Sequence, residues 1–498
     1  MLVIGSGPNG LSAACRLARA GLSVSVLEAE ERPGGGLATV EATLPGFLHD
    51  TCAGFVTFRD SVPFRALELP VEWGLAEIMS THPAPDGTVA AVSPDLALSE
   101  RHFGDPEDGR VFAEIARFHA RIEPHVLDFL GPLPAVRPAL AIGPSDGLRL
   151  ARAYASSSGA FARRTFRSEA ARRVFPAMGL HVDVGPDDPF GMPLCWMLTL
   201  RSTTAGFAVP LGGMAAVGRA LVDDLAAHGG EVRCGARVAR IEVRRGTASA
   251  AVLVGGERIE ARRAIVATTH ARALFLELVE QGALPSTVVG SVRRFRPGWG
   301  TFKVDYALSG PVPWADELSG RSAVVHVGHS VDELARFTTQ VRSGLLPDRP
   351  YLVVGQQSLV DPTRAPEGQH TLYAYTHAPS TPDPTAHPGG WPAWRERLAD
   401  QVDARIEELA PGFGERVLGR AIRDPGDLER GNANLIGGDL GGGSNAWHHS
   451  LVFRPTPLSF RYRTPIRGLY LGSSSTHPGP GVHGMCGWNA AEQVLSDI

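Results

Sequence analysis

The stretch LVIGSGPNG, residues 2–10, decides the fold of this chain. Its first three residues are apolar and predict a short buried strand, and its glycines follow in the spacing GxGxxG. Apolar residues then recur at helical spacing over 11–21, and a second apolar run over 22–27 ends at Glu28. A strand, a glycine turn, a helix and a second strand form a βαβ unit, whose right-handed crossover makes the two strands parallel neighbours.

Each glycine of the turn has its own physical role. Gly5 permits the tight turn, Gly7 lets the backbone approach a pyrophosphate, and Gly10 lets the helix pack closely on the strand. The helix N-terminus then offers free N–H groups and partial positive charge to phosphates. Glu28 can accept both hydrogen bonds of a ribose diol, and its charge disfavours a 2′-phosphate. We therefore predict a dinucleotide site; a turn with accidental glycines is the alternative.

A second glycine run favours FAD over NAD. ERPGGG, residues 31–36, gives a long cofactor another close backbone approach just after the second strand, where a simple dehydrogenase would continue into its next βα unit. Near the C-terminus, PGPGVHGM (478–485) turns into a predicted helix. Such a helix N-terminus would stabilise the negative charge that gathers on a reduced flavin pyrimidine. The sequence thus predicts non-covalent FAD.

Two further units suggest a discontinuous domain organisation. A helix followed by strands is predicted over 205–270, and a strand, a glycine-rich turn and a closing helix are predicted from 468 onward. At 498 residues the chain is too long for one core. We predict an α/β Rossmann-type FAD domain with an inserted α+β substrate domain. The FAD domain is assigned residues 1–60, 205–285 and 431–498, and the substrate domain residues 61–204 and 286–430.

Composition excludes several classes of protein. A net charge of −4 from 48 basic and 52 acidic residues disfavours nucleic acid as a partner. The five cysteines include no CxxC pair, which argues against a disulfide framework, structural zinc and the redox motif of disulfide reductases. No apolar run approaches about 18 residues and no basic leader precedes one, so we expect neither a membrane span nor a signal peptide. A cytoplasmic protein is predicted, with peripheral membrane contact as an additional interpretation.

At these motifs the chain resembles the phytoene-desaturase-like flavoproteins, within the glutathione-reductase and amine-oxidase fold group. The resemblance runs nearly end to end. It is carried by GSGPNG, LEAEERPGGG, LPGFLHDTCAG (44–54), VPLGGMAAVGRAL (209–221), IVATTHARALF (265–275) and the C-terminal block. Other stretches are closer to a bacterial subgroup similar to the mitochondrial pyridine-nucleotide-disulfide-oxidoreductase-domain protein and to carotene-ketolase-like proteins. These are FKVDYAL (302–308), GQQSLVDPTRAPEGQHTLYAYTH (355–377) and NANLIGGDLGGG (432–443).

The resemblance implies a set of FAD contacts. The ADP half would lie against Gly5, Ser6, Gly7, Gly10, Glu28, Arg32, Gly35 and Gly36, with the backbone of Val238 at the adenine and Thr268 near the pyrophosphate. The ribityl and isoalloxazine parts would lie by Gly472, Ser474, Gly481 and Val482. Two departures weaken a transfer of carotenoid specificity. Gly36 stands where carotene desaturases usually carry arginine, and SSSTHPG (473–479) replaces their GAGTHPG.

Catalytic candidates are few, because the flavin supplies most of the chemistry. His477, in the turn predicted to face the isoalloxazine, is the first candidate for an acid/base or orienting role; a histidine that holds the turn is the structural alternative. His483 is a second candidate, with helix capping favoured instead. The adjacent His49 and Asp50 are interpreted as a buried pair that orients a loop.

Three other polar groups receive structural interpretations. Lys303 and Asp305 alternate on a predicted strand and should form a salt bridge on one face. Asp439 lies in a glycine-rich stretch and is predicted to form a turn. His448-His449 lacks further ligands at useful spacing, so no metal site is predicted.

The apolar run PFGMPLCWMLTL, residues 189–200, bears on the substrate. It fits a lining for a lipophilic substrate, contact with a membrane surface or ordinary core packing. The leading hypothesis is an FAD-dependent oxidoreductase that transfers hydride from an apolar, polyene or isoprenoid-like small molecule to flavin N5. Oxygen and a quinone both fit as electron acceptor, and no oligomeric state is indicated. An amine-oxidase-like enzyme and a non-catalytic FAD-containing binding protein are the alternatives.

Overall fold

A computed structural model describes residues 1–498, with side chains described at 1–280 and 282–498. Its central element is a five-stranded parallel sheet, which confirms the predicted α/β Rossmann-type fold. The strands follow in the order Leu469–Leu471, Ile265–Ala267, Leu2–Ile4, Ser25–Leu27 and Glu231–Arg233. Strands far apart in the chain therefore end along one edge, and that edge is where ligands bind in open parallel sheets.

The first helix, Pro8–Arg19, begins earlier than its apolar pattern. Pro8 occupies the first turn, where proline is favoured because its missing N–H would be unpaired anyway. The helix ends before Gly21, and the N–H of Leu22 still donates to the Leu17 carbonyl at 3.2 Å. That bond holds Leu22 in the turn, so the second strand starts at Ser25 instead of the predicted residue 22.

Two further helices pack beside the first. Met214–Ala227 buries Val217, Leu221 and Leu225 completely, as the pattern predicts, and full burial of each such side chain is worth about 1.5–3 kcal/mol. The C-terminal helix Met485–Asp497 approaches the first helix so closely that a Cβ at Gly487 would lie 1.7 Å from the Asn9 carbonyl oxygen. Glycine at 487 is therefore required for this contact.

A seven-stranded mixed sheet forms the other large layer. Its order is Val417–Arg423, Gly300–Leu308, His370–Ala378, Leu352–Gly355, Ser322–Val327, Ile78–Pro83 and Val89–Val92. Neighbours are antiparallel except Ser322–Val327 and Ile78–Pro83. The long strand Gly300–Leu308 is buried along its whole length. All seven strands lie in the segments assigned to the substrate domain; the domain boundaries themselves stay a prediction.

Smaller sheets and helices complete the fold. Val238–Arg244, Thr247–Leu253 and Arg258–Glu260 form a three-stranded sheet, and Thr39–Glu41 with Leu48–Asp50 and Trp73–Gly74 with Val209–Pro210 form ribbons. The other helices are Val62–Leu67, Leu96–Arg101, Pro106–Leu127, Val136–Ile142, Pro144–Tyr154, Ser158–Thr165, Glu169–Gly179, Met192–Thr204, Ala271–Ala273, Ser286–Arg294, Glu317–Gly320, Val331–Arg342, Gly390–Glu407, Phe413–Arg416 and Pro425–Gly431. None of the helices that the structure describes has the length and apolar character needed to span a bilayer.

Candidate functional site

A cavity of about 1410 Å³ lies between the two large sheets. One end is formed where the parallel strands finish, at residues such as Gly5, Glu28 and Thr268, and the other by side chains of the seven-stranded sheet, such as Lys303 and Tyr375. Pockets for drug-sized ligands measure roughly 300–1,000 Å³. The cavity therefore has room for a long cofactor and a second molecule beside it.

The glycine turn at the first end leaves its backbone open. Gly5 has φ +96°, and a Cβ at Gly10 would lie 2.0 Å from the Gly5 carbonyl oxygen, so neither position accepts a side chain. A Cβ at Gly7, in contrast, would meet no atom within 4 Å. Gly7 is also the cap of helix Pro8–Arg19, which carries no side-chain cap and no acid in its first turn. The turn thus offers free N–H groups and unobstructed space to an anion.

Glu28 is buried beside this turn and organises it. The backbone N–H and the hydroxyl of Ser6 both donate to one carboxylate oxygen, at 2.8 and 2.5 Å, and the N–H of Glu30 donates to the other at 3.0 Å. A carboxylate has about four lone-pair sites, so three protein donors leave room for roughly one more. Glu28 therefore holds the loop as well as facing the cavity, a role that the sequence prediction did not include.

The second glycine run packs directly on the first. The N–H of Gly34 donates to the carbonyl and the hydroxyl oxygen of Ser6, both at 3.1 Å. Gly35 has φ +55°, and a Cβ there would lie 3.0 Å from the Cα of Gly7. Gly36 and the exposed Arg32 line the same part of the cavity. Residues 31–36 and the GxGxxG turn therefore form one continuous backbone surface.

Thirteen of the fourteen predicted FAD contacts line the cavity. Thr268 donates to the Ile4 carbonyl at 2.8 Å, which ties its strand to the phosphate turn, and Val238 begins a strand beside Glu28. The exception is Gly472, where a Cβ would lie 2.8 Å from the Cβ of Ala490. Glycine is needed there so that the C-terminal helix can pack on the sheet, and the contact of Gly472 with the flavin stays a prediction.

The second end of the cavity combines an apolar wall with a polar sheet face. Met178, Leu194, Leu198, Phe207 and Val324 contribute the apolar wall. The sheet face is formed by alternate residues of two paired strands, Thr301 and Lys303 on one and Tyr373, Tyr375 and His377 on the other. Alternate residues of a strand share one face, so these five side chains all point into the cavity.

Comparison with known proteins agrees with this geometry. The family described as flavin containing amine oxidoreductase matches residues 9–495. The chain belongs to this family. FAD is accordingly its cofactor, and the protein is an FAD-dependent oxidoreductase. The uncapped helix, the open space at Gly7 and the volume of the cavity all fit that cofactor.

The relatives of the chain include desaturases and an oxidoreductase-domain protein, and amine oxidases share its fold. The chain is 28% identical over 549 residues to pyridine nucleotide-disulfide oxidoreductase domain-containing protein 2 of Rattus norvegicus, covering 100% of this chain and 93% of that protein. It is 26% identical over 520 residues to a phytoene desaturase (neurosporene-forming) of Cereibacter sphaeroides, covering 98% and 92%. Cyclohexylamine oxidase from Brevibacterium oxydans has the same fold, with a TM-score of 0.62, 17% identity and coverage of 100% and 98%.

Within this family member, the two predicted catalytic histidines do not line the cavity. The Nε2 of His477 donates to the Phe129 carbonyl at 2.7 Å, and burial lowers the pKa of His477. The Nδ1 of His483 accepts from the N–H of Met485 at 3.0 Å, and burial lowers the pKa of His483 to about 4. His477 therefore holds its turn against the segment that follows the helix Pro106–Leu127, and His483 caps the C-terminal helix. These contacts agree with the structural alternative for each histidine, and an acid/base role for either one stays a prediction.

The other polar predictions are structural. Asp50 accepts from the N–H of Met214 at 2.8 Å and pairs with Arg364 at 2.6 Å, so it caps the helix that starts at Met214. His49 is buried next to it but instead contacts Thr43 through Nε2 at 2.8 Å. Asp439 accepts from the N–H groups of Gly298, Gly441 and Gly443, which confirms the predicted turn, and it also lines the cavity. Across residues 1–280 and 282–498, no three metal-ligating side chains come together.

Sequence reasoning missed most of the polar sheet face. The salt bridge between Lys303 and Asp305 is confirmed, but the cavity position of Lys303 was not predicted. Lys303 is the only lysine among the 48 basic residues, and its ammonium group lies 5.2 Å from the centroid of the Tyr373 ring. Burial lowers the pKa of Lys303, and the neighbouring Asp305 opposes that shift. A single lysine in a chain otherwise supplied with arginine was the signal available in the sequence.

The apolar run 189–200 has two sides. From Met192 onward the run belongs to the helix Met192–Thr204, which directs Leu194 and Leu198 into the cavity and buries Cys195, Trp196 and Leu200 in the core. Two of the interpretations given for this run are therefore correct: one face of the helix lines the cavity, and the other packs in the core. Peripheral contact with a membrane stays a prediction.

Proposed function

We propose that this FAD-dependent oxidoreductase dehydrogenates a largely apolar small molecule of polyene or isoprenoid type. The observation that supports the proposal is the apolar wall formed by Met178, Leu194, Leu198, Phe207 and Val324. Removing a hydrocarbon chain from water is worth about 0.8 kcal/mol per buried CH₂ group. A wall of this composition therefore favours a long hydrocarbon chain over a small charged substrate.

The arrangement of the aromatic rings also supports an apolar substrate. The ring centroids of Phe55 and Phe207 lie 6.3 Å apart, those of Phe55 and Tyr373 6.2 Å, and those of Tyr373 and Tyr375 6.0 Å, all tilted. None of these three ring pairs is parallel, whereas an aromatic cage surrounds an ammonium group with ring faces directed at the cation.

The reaction removes two hydrogens from the substrate. FAD supplies the hydride acceptor when it is bound. The proton goes to a base of the chain or to solvent. We assign to Lys303 a role in holding charge at the cavity wall, because its ammonium group is buried there and is kept in place by Asp305. The apolar wall excludes water from the reacting bond, which strengthens electrostatic interactions at the site.

Oxidation of an amine is the second candidate function. It is favoured by three aromatic side chains on the cavity wall, Trp299, Tyr373 and Tyr375, because aromatic faces attract cations. An isoprenoid should reduce the flavin if the first function is correct, and an amine should reduce it if the second is correct. One experiment therefore separates the two functions.

The experiment is anaerobic reduction of the purified holoenzyme. Phytoene, retinol and farnesol form one panel, and cyclohexylamine and putrescine form the other; loss of oxidised-flavin absorbance is followed in each case. We expect reduction by at least one isoprenoid and by neither amine. Reduction by amines alone would establish the second candidate. If dithionite reduces the flavin and no panel member does, a non-catalytic binding role replaces both.

A further inference from the structure

Two polar side chains face each other on the sheet wall of the cavity. Thr301 and His377 are directly paired in the register of strands Gly300–Leu308 and His370–Ala378, and both line the cavity. They are 1% and 4% exposed. Side chains paired in this way have Cβ atoms about 4.5–5.5 Å apart. One small group of a bound molecule can therefore contact both.

Each of these side chains has one polar atom without a partner in the described part of the protein. Thr301 Oγ1 and His377 Nε2 are buried and have no hydrogen-bond partner among the residues that the structure describes. Buried side-chain polar atoms are paired in the large majority of cases, so each unpaired atom calls for an explanation. Two such atoms at one rung of a ladder, on the wall of a cavity, indicate a polar group of a ligand.

The donor and acceptor pattern identifies the group. His377 Nδ1 lies 3.3 Å from the Gly300 carbonyl oxygen, which can only accept, so a neutral ring carries its proton on Nδ1. Burial favours the neutral ring by lowering the pKa of His377, although the Gly300 carbonyl, the Asp183 carboxylate and two further backbone carbonyls partly oppose this shift. Nε2 is then an acceptor, while the Thr301 hydroxyl can donate. The complementary group donates one hydrogen bond and accepts another, as an alcohol does.

We propose that Thr301 and His377 bind a hydroxyl group of the substrate, so that the enzyme prefers hydroxylated apolar molecules over the corresponding hydrocarbons. A hydrocarbon would leave both polar atoms unpaired, and a ketone has no hydrogen to donate to Nε2. The inference rests on the proposed function, because it assumes that an apolar substrate occupies this end of the cavity.

The test compares an isoprenoid alcohol with its hydrocarbon counterpart. Farnesol and farnesene are titrated into the FAD-loaded enzyme, and binding is followed by the change in flavin absorbance. We expect farnesol to bind at least about tenfold more tightly, because an unpaired buried polar group lowers affinity by roughly five- to 150-fold. Thr301→Val should reduce this preference to about threefold or less. The same variant should bind farnesene at least as tightly as the wild type does.

If Thr301 binds the hydroxyl group, Thr301→Val weakens the binding of farnesol but not that of farnesene. If Thr301 is only structural, the same substitution weakens the binding of both probes. His377→Leu should act like Thr301→Val. Thr376→Val is the matched control, because Thr376 is a buried threonine on the same strand as His377 but is not on the cavity wall. It should keep the full preference.

Three outcomes decide the matter. Equal binding of both probes by the wild type would overturn the inference and leave the proposed function standing. Loss of FAD from Thr301→Val would place the pair at the cofactor and overturn the inference as well. If the wild type binds neither probe, the proposed function itself fails, and the inference fails with it.

Discussion

The two ends of the cavity are built in different ways. At the cofactor end, backbone groups of residues 4–36 form the surface, and the polar atoms of Ser6, Glu28 and Gly34 are paired with one another. At the substrate end, side chains from separate strands and helices form the surface, and Thr301 and His377 have unpaired atoms. The hydrogen bonds among these three residues fix the shape of the turn, and Glu28 keeps room for about one further donor. The unpaired atoms of Thr301 and His377, in contrast, can find hydrogen-bond partners only in a molecule that binds there.

The largest expected effect is at the substrate end. Lys303→Met removes the ammonium group beside the buried Asp305 carboxylate and leaves only the His49 ring next to it, with Nδ1 3.5 Å away. Breaking a buried pair from one side destabilises a protein by about 3–5 kcal/mol. Denaturant unfolding of the variant should show a loss of this size. The double variant Lys303→Met/Asp305→Asn should recover most of it; no recovery would mean that the pair does not stabilise the sheet.

At the cofactor end, two neighbouring glycines should respond differently. Gly10→Ala places a Cβ 2.0 Å from the Gly5 carbonyl oxygen, and overpacking of this kind costs about 1–3 kcal/mol, so both thermal stability and FAD content should fall. Gly7→Ala is the matched control, because its Cβ meets no protein atom and its φ of −66° suits alanine. It should fold normally and bind FAD more weakly. Equal stability of both variants would refute the packing described here.

Glu28→Arg tests the paired network directly. The change removes the acceptor of three protein hydrogen bonds and opposes the ribose contact. Loss of a hydrogen bond to a charged group is worth about 1.5–3 kcal/mol, which is tens-fold in affinity. FAD titration of the apoprotein should show at least this loss. Glu257→Gln, at an exposed ion pair with Arg233, should leave FAD affinity unchanged; unchanged affinity in Glu28→Arg would remove Glu28 from the site.

The smallest expected effect is at the turn that joins the two ends. His477→Ala removes the hydrogen bond to Phe129, worth about 0.5–1.5 kcal/mol. Thermal stability and FAD occupancy should decrease slightly, while the rate of flavin reduction per bound FAD stays the same. A stopped-flow rate that falls by about 10²–10⁴-fold at full FAD content would instead establish the acid/base role of His477.

The cofactor end could be predicted from sequence because its parts are close together in the chain. The strand, the glycines and Glu28 lie within 28 residues, and each glycine is required by a local contact or an open approach. Gly472 is the predicted FAD contact that does not line the cavity. Close packing on Ala490 and close approach to a flavin both require glycine, and a sequence does not distinguish the two.

The substrate end could not be predicted in the same way. Thr301 and His377 become neighbours only through the pairing of two strands, and the cavity then selects one face of that pair. Local pattern correctly predicted the strand and the bridge between Lys303 and Asp305. Which face of the strand borders the cavity depends on tertiary packing, which the alternation of residues does not specify.

Product analysis tests the central claim most directly. The FAD-loaded enzyme is mixed anaerobically with an isoprenoid alcohol that reduces it, and the organic-soluble product is identified by mass spectrometry. We expect a product that has lost two hydrogen atoms, formed in an amount equal to the FAD reduced. Flavin reduction without such a product, or turnover only of an amine with release of ammonia, would contradict it.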